Sequence, residues 1–226
     1  SGVDQVTGGA GEDHVIGDQG RMDYTQADGL ISAVTLDPEL GAGDIISGGS
    51  GDNVVIGGAG ADAITTTGAA TDADIILGDS GEVVWNLTSA DGGDDSDTTL
   101  DLITTAVAGA ESAVGGDDVI NSGDGVNVVL GGVGSDYIAG TGASDTDMSA
   151  AVGGANEDVV VGDSGSLVYV AGELSQLVSS DSAATAGSAD SIVTGEGSNT
   201  IVGGVGGDVI TSGSGSDTVI GDSGVI

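Results

Sequence analysis

The 226-residue chain contains 46 Gly, 1 Pro, no Cys and no Phe, and 37 acidic residues against 1 basic residue give it a formal charge of −36. A chain this acidic repels nucleic acid and anionic membranes. The lack of Cys excludes disulfides and thiolate metal sites, and the single His14 excludes a zinc site built from several histidines. Few aromatic residues are present, so aliphatic side chains must form the core.

A nine-residue pattern, G-G-x-G-x-[D/N]-x-U-x with U a large aliphatic residue, recurs along the chain. Residues 48–65 show it twice, as GGSGDNVVI and GGAGADAIT. The first part predicts a glycine-rich turn that ends in Asp or Asn, and the last three residues predict a short strand. Such repeats are typical of a parallel β-helix with calcium in its turns.

Two turns make one coil, so the position-6 residues form two rows, which we name row A and row B. Row A contains Asp4, Asp44, Asp62, Asp118, Asp136, Asp190 and Asp208. Row B contains Asp13, Asn53, Asp74, Asn127, Asp158, Asn199 and Asp217. The strands that follow these rows form sides A and B.

Two residues after each member comes a Val or Ile, and we expect this residue to point inward because side chains alternate along a strand. This inward ladder runs Val6, Val15, Ile46, Val55, Ile64, Ile76, Ile120, Val129, Ile138, Val160, Ile192, Ile201, Ile210 and Val219.

Side B is apolar on its outer face as well, so we expect something to cover it. Its outward residues are Ile16, Ile56, Leu77, Leu130, Val161, Val202 and Ile220. G-D-x-G follows every second turn of side B, at 17–20, 78–81, 162–165 and 221–224.

The first three G-D-x-G turns lead into insertions that we interpret as β-hairpins, the first with its turn at 26–29. Their second apolar stretches are 30–36, 102–107 and 174–179. Each carries an aromatic residue four positions after the second Gly (Tyr24, Trp85 and Tyr169), and we expect all three to pack on side B. Long connections at 66–73 and 142–157 are expected to lie in turns.

A larger period of two coils and one hairpin is visible in the spacing of the row B asparagines. It predicts one elongated β-roll over 1–226, built of tandem units at approximately 1–40 (partial), 41–114, 115–186 and 187–226 (partial). Residues 2–20 align with 206–224, which suggests a piece of a longer tandem array.

The turns predict calcium ligands, because glycine-rich backbone can direct its carbonyls at one point and an Asp adds charge. About six hard oxygens from two stacked turns suit calcium better than a softer metal. The candidate ligands are the fourteen members of rows A and B together with backbone carbonyls of Gly9, Gly11, Gly49, Gly51, Gly58, Gly60, Gly132, Gly134, Gly204 and Gly206.

These blocks resemble the calcium-binding β-roll of the repeats-in-toxin (RTX) family, over roughly half of the chain. The resemblance implies an all-β, right-handed parallel β-roll or β-helix solenoid with several Ca²⁺ ions between turns. It also implies secretion from a Gram-negative bacterium and folding outside the cell on meeting millimolar calcium.

Two departures from the family pattern affect the metal sites. Asn replaces Asp at 53, 127 and 199, so we predict tighter calcium on row A and weaker or absent calcium on row B. Alternatively, the asparagines form a hydrogen-bonded ladder. In the G-D-x-G turns, Asp18, Asp79, Asp163 and Asp222 stand where the family has Gly. They are additional metal ligands or turn-forming residues. The hairpins are a third departure, and they are candidates for the chain's specific function.

The favoured function is a calcium-binding structural segment of a large secreted bacterial surface, adhesin or fibre-forming protein. The alternative is a folding and secretion module of an extracellular RTX hydrolase or toxin.

We expect no enzyme activity. Ser80 and Ser164 lie in G-D-S-G, as in trypsin-like proteases, but that motif recurs with the repeat and His14 lies on a repeat strand. A ladder of Thr that would bind ice is missing from the outward positions of side A. Expected partners are calcium and the chain itself, end to end or through side B, without nucleic acid or membrane insertion.

Overall fold

The computed structural model describes residues 2–27, 29–88, 93, 96, 98–105, 115–139, 157–180 and 188–226. These residues form β-strands and no helix. The strands are β1 (Gln5–Ala10), β2 (His14–Ile16), β3 (Gly20–Thr25), β4 (Gly29–Thr35), β5 (Ile45–Ser50), β6 (Val54–Gly58), β7 (Ala63–Thr66), β8 (Ile75–Asp79), β9 (Glu82–Val84), β10 (Leu102–Thr104), β11 (Val119–Asn121), β12 (Val128–Gly132), β13 (Tyr137–Ala139), β14 (Val159–Asp163), β15 (Gly165–Val170), β16 (Glu173–Ser179), β17 (Ser191–Val193), β18 (Thr200–Val202), β19 (Val209–Thr211) and β20 (Thr218–Ile220).

Two seven-stranded parallel sheets form the body of a β-roll, as the repeat predicts. Sheet A has the order β1-β5-β7-β11-β13-β17-β19, and sheet B has the order β2-β6-β8-β12-β14-β18-β20. These are the predicted sides A and B, with every strand on its expected side. The inward aliphatic residues stand in register, for example Ile46 beside Ile64 and Val55 beside Ile76. Several strands, such as β1 and β5, extend beyond the expected three residues into the turn.

The inward ladder forms one apolar cluster between sheets A and B. Eleven of its members, from Val15 to Ile201, are buried, and Val6 and Ile210 are partly buried against them. Val219 is the exception, because it is 46% exposed. It lies on β20, the last strand of sheet B, which has no further coil beside it.

The three insertions join into a third, antiparallel sheet, which we name the cover sheet. Its order is β16-β15-β10-β9-β4-β3. Each hairpin pairs with the next one through a repeated backbone hydrogen bond. It runs from Thr35 N–H to Gly81 O (3.0 Å) and from Thr105 N–H to Gly165 O (3.0 Å). Beyond β16 the C-terminal residues continue the series, because Ser179 N–H donates to Gly224 O at 3.0 Å.

A second apolar cluster fills the space between sheet B and the cover sheet, so side B is covered by the chain itself. From sheet B it contains Ile56, Leu77, Leu130, Val161 and Val202, and from the cover sheet Leu30, Ala33, Val83, Ile103, Leu167, Tyr169 and Leu177. Ile16 and Ile220 pack at its margins. The cover sheet thus gives the roll three layers and two cores.

The prediction for the hairpin aromatics is correct for two of the three residues. Tyr169 is buried in this cluster and Trp85 packs against it, but Tyr24 is 55% exposed. Tyr24 lies on β3, the edge strand of the cover sheet, after a register shift at Asp23/Tyr24. It contacts His14 instead, with a Tyr24 Oη to His14 Nδ1 distance of 3.2 Å.

The connection 66–73 links β7 to β8 as a turn, as expected. Residues 142–156 of the other predicted long connection, position 28 of the first hairpin turn and residues 106–107 of the second hairpin lie outside the described residues. Among the described residues there is no helix long and apolar enough to cross a membrane.

Candidate calcium sites in the turns

Each carboxylate of row A after Asp4 binds the preceding coil through one oxygen. Oδ1 accepts a hydrogen bond from the backbone N–H of the row A residue one coil earlier. The N–Oδ1 distances are 2.7 Å for Asp4–Asp44, 2.6 Å for Asp44–Asp62, 2.7 Å for Asp62–Asp118, 2.9 Å for Asp118–Asp136, 2.9 Å for Asp136–Asp190 and 3.1 Å for Asp190–Asp208. A backbone donor that would otherwise be unpaired at the start of each strand is satisfied in this way.

The second oxygen of these carboxylates is buried and has no hydrogen-bond partner. This holds for Oδ2 of Asp44, Asp62, Asp118, Asp136, Asp190 and Asp208. A buried charged oxygen without a partner is strongly unfavourable, so native proteins pair such atoms with a proton, a donor or a metal ion. The row therefore presents a series of oxygens that require a cation or a proton.

A backbone carbonyl oxygen lies close to each of these free oxygens. A methyl group added at Gly57 would collide with Oδ2 of Asp62 and with the carbonyl oxygen of Gly78. The same pair of collisions recurs at the first glycine of the other turns that lead into sheet A, at Gly17, Gly78, Gly131, Gly162 and Gly203. The bare α-carbon thus makes room for a carboxylate oxygen and a carbonyl oxygen side by side.

Burial makes these carboxyl groups hard to ionise without a cation. It raises the pKa of Asp118 to about 10, with the neighbouring charge of Asp79 as the next cause. Burial likewise raises the pKa of Asp190 to about 8 and that of Asp62 and Asp136 to about 7. A bound divalent cation would reverse this balance, because it favours the ionised form.

The additional Asp residues of the G-D-x-G turns reach across to the next turn that leads into sheet A. Oδ2 of Asp18 accepts from Ala59 N–H at 2.8 Å, Oδ2 of Asp79 accepts from Val133 N–H at 2.5 Å, and Oδ2 of Asp163 accepts from Val205 N–H. Oδ1 of Asp79 also accepts from Gly116 N–H at 3.2 Å. These contacts give Asp18, Asp79 and Asp163 a turn-fastening role.

The charges of these three residues also raise the pKa of row A members: Asp18 that of Asp62, Asp79 that of Asp118 and Asp163 that of Asp190, each after burial as the first cause. Asp222, the fourth such residue, is exposed in the last coil.

Row B repeats the Oδ1 ladder, and Oδ2 of Asp13 and Asp74 is buried without a partner as in row A, but its three asparagines differ. Asp13 N–H donates to Asn53 Oδ1 at 3.1 Å, and Asn53 N–H donates to Asp74 Oδ1 at 2.9 Å. The series continues through Asn127, Asp158, Asn199 and Asp217 at 2.9–3.1 Å. The asparagine amides add donors that row A lacks: Asn53 Nδ2 donates to Gly51 O at 2.8 Å and to Gly49 O at 3.4 Å.

Backbone oxygens must supply much of any metal coordination here. Within the described residues, no three Asp, Glu or His side chains are arranged to hold a metal ion by themselves. The candidate carbonyl donors lie on glycines with positive φ, such as Gly58 (φ 118°) and Gly60 (φ 114°), a conformation that other residues rarely adopt. Carboxylate and carbonyl oxygens at converging turns fit calcium, which accepts six to eight such ligands in flexible geometry.

Comparison with known protein families agrees with this chemistry. A family model for the RTX calcium-binding nonapeptide repeat matches in four copies, at residues 1–21, 41–68, 112–147 and 187–225, together more than half of the chain. The chain belongs to the RTX calcium-binding repeat family. No curated protein and no solved structure matches it. RTX repeats of this type bind several Ca²⁺ ions, serve as structural rather than catalytic elements and occur in secreted bacterial proteins.

Two features of this RTX roll go beyond the sequence predictions. The first is the extent of the Oδ1–N–H ladder, which was expected as an alternative only for the asparagines but also runs through the aspartates, so that position 6 has a structural role besides the expected metal-binding one. The second is the first residue of three turns that lead into sheet B: Thr66, Ser122 and Thr194 are buried there, whereas the turns of Asp13 and Asn53 begin with Gly8 and Gly48 and the turns into sheet A begin with glycine. The sequence shows this difference, because Ser or Thr replaces Gly at the first position of the nine-residue repeat in these three turns.

Proposed function

We propose that this chain is a calcium-stiffened structural segment of a secreted bacterial surface, adhesin or fibre-forming protein, and that it has no catalytic role. The proposed metal ligands are the carboxylates of row A with the adjoining glycine carbonyls. The Asp side chains of row B and of the G-D-x-G turns are further candidates.

The observation that best supports this proposal is the pairing of neighbouring hairpins in the cover sheet. The first two hairpins return along strands that pair with the hairpin of the following unit, through the Thr35–Gly81 and Thr105–Gly165 hydrogen bonds, and the third pairs with the C-terminal residues through Ser179 and Gly224. The units therefore interlock through three sheets at once, since sheets A and B also run through all seven coils. A repeat in which each unit fastens the next suits a load-bearing rod, because contacts between neighbouring repeats determine the stability of such arrays.

Because the chain has a formal charge of −36, we expect calcium binding to control whether the roll is compact. Repulsion between carboxylates opposes the compact state unless cations neutralise it. Extracellular calcium-binding modules bind calcium in the range of roughly 10⁻⁴–10⁻³ M, well above cytosolic calcium levels. The rod would accordingly stay loose inside the cell and stiffen after export.

A calcium titration of the chelator-treated chain tests the coupling of metal and fold. Far-UV circular dichroism and small-angle X-ray scattering are recorded together, with magnesium as the control cation. We expect a cooperative gain of β signal and a narrowing of the distance distribution in calcium only. Identical dichroism and scattering with and without calcium would contradict the proposal and favour an acidic surface that only keeps the protein soluble.

Single-molecule stretching separates the structural role from a folding module of a hydrolase. In a polyprotein that carries this chain between marker domains, a structural segment is expected to unfold at a clearly higher force in calcium than in chelator. A module that only assists secretion would refold on calcium addition without such a gain in force. Equal unfolding forces with complete calcium-dependent refolding would therefore favour the hydrolase or toxin module.

A further inference from the structure

In the row B asparagines, the amide nitrogen Nδ2 takes the place of the carboxylate oxygen Oδ2 of the row A aspartates. From Asp44 onward, Oδ2 in row A has no hydrogen-bond partner, whereas Nδ2 in row B has partners. Asn53 Nδ2 donates to Gly51 O and to Oδ1 of Asp74, both within 2.9 Å. Asn199 Nδ2 donates to Gly195 O at 3.2 Å and to Oδ1 of Asp217 at 3.2 Å. An amide nitrogen thus joins a turn carbonyl to the carboxylate of the next coil, the two kinds of oxygen that a calcium ion would join.

Asn127 makes the first half of this arrangement, because its Nδ2 donates to Gly123 O at 3.4 Å. All three asparagines are buried, with at most 1% of each residue exposed. Gly49 and Gly51, whose carbonyls accept from Asn53, belong to the set that the repeat pattern predicts as calcium ligands. In row B these carbonyls are therefore already satisfied by protein donors.

The space beside the position-6 side chains is also more open in row A than in row B. In row A the first residue of each turn is a glycine whose missing side chain makes room for Oδ2 and a carbonyl oxygen. In row B the turns of Asn127 and Asn199 begin with Ser122 and Thr194, which are both buried, whereas the turn of Asn53 begins with Gly48. At Gly48 the methyl group of Thr66 occupies the adjoining space. Side-chain atoms thus fill room that row A leaves open.

We propose that the amides of Asn53, Asn127 and Asn199 take the place of calcium in their turns of row B, so that row A is the main calcium row of this roll. The inference rests on the proposed calcium ligands of row A. A neutral amide supplies fixed N–H donors to the carbonyls and neighbouring carboxylates, and it removes one negative charge from each affected turn. Sheet B and the cover sheet above it are then held together without metal, and calcium orders the turns that lead into sheet A.

The first turn of row B keeps the character of row A and is the expected exception. A methyl group at Gly8 would collide with Oδ2 of Asp13 and with the carbonyl oxygen of Gly48, and Oδ2 of Asp13 is buried without a partner. Oδ2 of Asp74 is also buried without a partner, but the turn of Asp74 begins with the buried Thr66 instead of a glycine, and its Oδ1 accepts from Asn53 Nδ2. We therefore expect one calcium position at Asp13 in addition to those of row A. The exception lies at one end of sheet B, on the edge strand β2.

Anomalous diffraction from calcium-soaked or terbium-soaked crystals locates the ions directly. We expect peaks along row A and none within coordinating distance of the three asparagine side chains. The variant Asn53→Asp/Asn127→Asp/Asn199→Asp is expected to gain peaks in row B and to need more calcium for folding. The control Asn86→Asp makes the same chemical change at an exposed position and is expected to alter neither. Peaks of equal height in both rows of the original chain would overturn the inference.

Exchange of the asparagine amide protons gives a second readout that needs no crystal. In ¹⁵N-labelled protein with excess chelator, we expect the side-chain NH₂ groups of the three row B asparagines to exchange at least about tenfold more slowly than that of Asn86. Equally fast exchange at all four would contradict a metal-free row B. If no calcium binds anywhere, the proposed calcium ligands fail; if calcium binds to both rows alike, only the present inference fails.

Discussion

The backbone N–H of Asp118 donates a 2.9 Å hydrogen bond to Oδ1 of Asp136, and Oδ2 of Asp136 is buried with no partner. One carboxylate therefore has two separable tasks. Oδ1 fixes the spacing between coils, whereas Oδ2 is free for a cation. Asparagine at such a position keeps the first task and changes the second, which is the difference between row A and the three asparagines of row B.

Replacing Asp118 by Asn separates these tasks experimentally. Asp118→Asn keeps an Oδ1 acceptor for Asp62 N–H, while Asp118→Ala leaves that buried donor unpaired. In chelator we expect Asp118→Asn to be at least as stable as the original chain and Asp118→Ala to lose about 1–3 kcal/mol. Both variants are expected to bind calcium more weakly in titration calorimetry.

Exposed Asp37 provides the matched control for this pair, because Asp37→Asn removes one charge away from the turns. It is expected to leave both unfolding in chelator and calcium affinity close to those of the original chain. Equal destabilisation by Asp118→Asn and Asp118→Ala would show that the Oδ1 ladder contributes little to the metal-free fold.

Acidity is expected to stabilise the calcium-free fold. Burial raises the pKa of Asp62 to about 7 and that of Asp190 to about 8, from the ordinary value of 3.8. These groups bind protons more tightly in the folded chain, so their contribution to stability is fully present below pH 3.8 and is lost as the pH rises through 7 and 8. In chelator, the melting temperature is therefore expected to fall between about pH 5 and about pH 8.

Because burial raises the pKa of these carboxyl groups, calcium binding is expected to displace protons from them. Calorimetric titrations near neutral pH, in two buffers with different ionisation enthalpies, are expected to give different apparent binding enthalpies because protons are released to the buffer. Identical enthalpies in both buffers, together with a melting temperature that rises with pH in chelator, would contradict the pKa directions described above.

The first glycine of a row A turn is expected to tolerate no side chain. A methyl group at Gly57 would meet the Gly78 carbonyl oxygen and Oδ2 of Asp62, and the backbone oxygen cannot move aside easily. We expect Gly57→Ala to cost about 1–3 kcal/mol and to weaken calcium binding. Gly221 holds the same repeat position in the last coil and has no atom within 4 Å of an added methyl group, so Gly221→Ala is the control. Equal melting temperatures for the two variants in calcium would contradict this account.

Much of this architecture could be predicted from single positions of the repeat. The inward Val or Ile, such as Ile64, and the outward apolar residue of side B, such as Leu77, place every repeat strand in its sheet, because period-two alternation is a local property. The two rows follow from the same counting. The sequence distinguishes row B asparagines such as Asn53 from the aspartates, but the donor contact from Asn53 to Gly51 depends on side-chain geometry that no spacing shows.

Features that depend on neighbouring units were less accessible to sequence. The pairing of β4 with β9 and of β10 with β15 joins separate hairpins, and it follows from the distance between coils rather than from any turn signal. Tyr24 and Tyr169 occupy equivalent sequence positions, yet Tyr24 is exposed because β3 is an edge strand, while β15 lies between β10 and β16. A residue's place within the array, not its local pattern, decides its burial here.

The cover sheet is expected to stabilise the roll through its own core. Leu167 is fully buried between the cover sheet and sheet B, whereas Val170 on the same strand is 49% exposed. We expect Leu167→Ala to cost about 2–5 kcal/mol and Val170→Ala to cost less than 1 kcal/mol. Trp85 packs against the same cluster, so its fluorescence during denaturant unfolding in saturating calcium reports the loss.

This comparison also tests whether side B is covered by its own chain in solution. If the cover sheet packs on sheet B as described, Trp85 emission and far-UV dichroism are expected to change together in Leu167→Ala, at a lower denaturant concentration than in Val170→Ala. Coincident unfolding curves for the two variants would mean that Leu167 is not in a core. The hairpins would then be free to project from the roll, and side B would be available to a second copy of the chain.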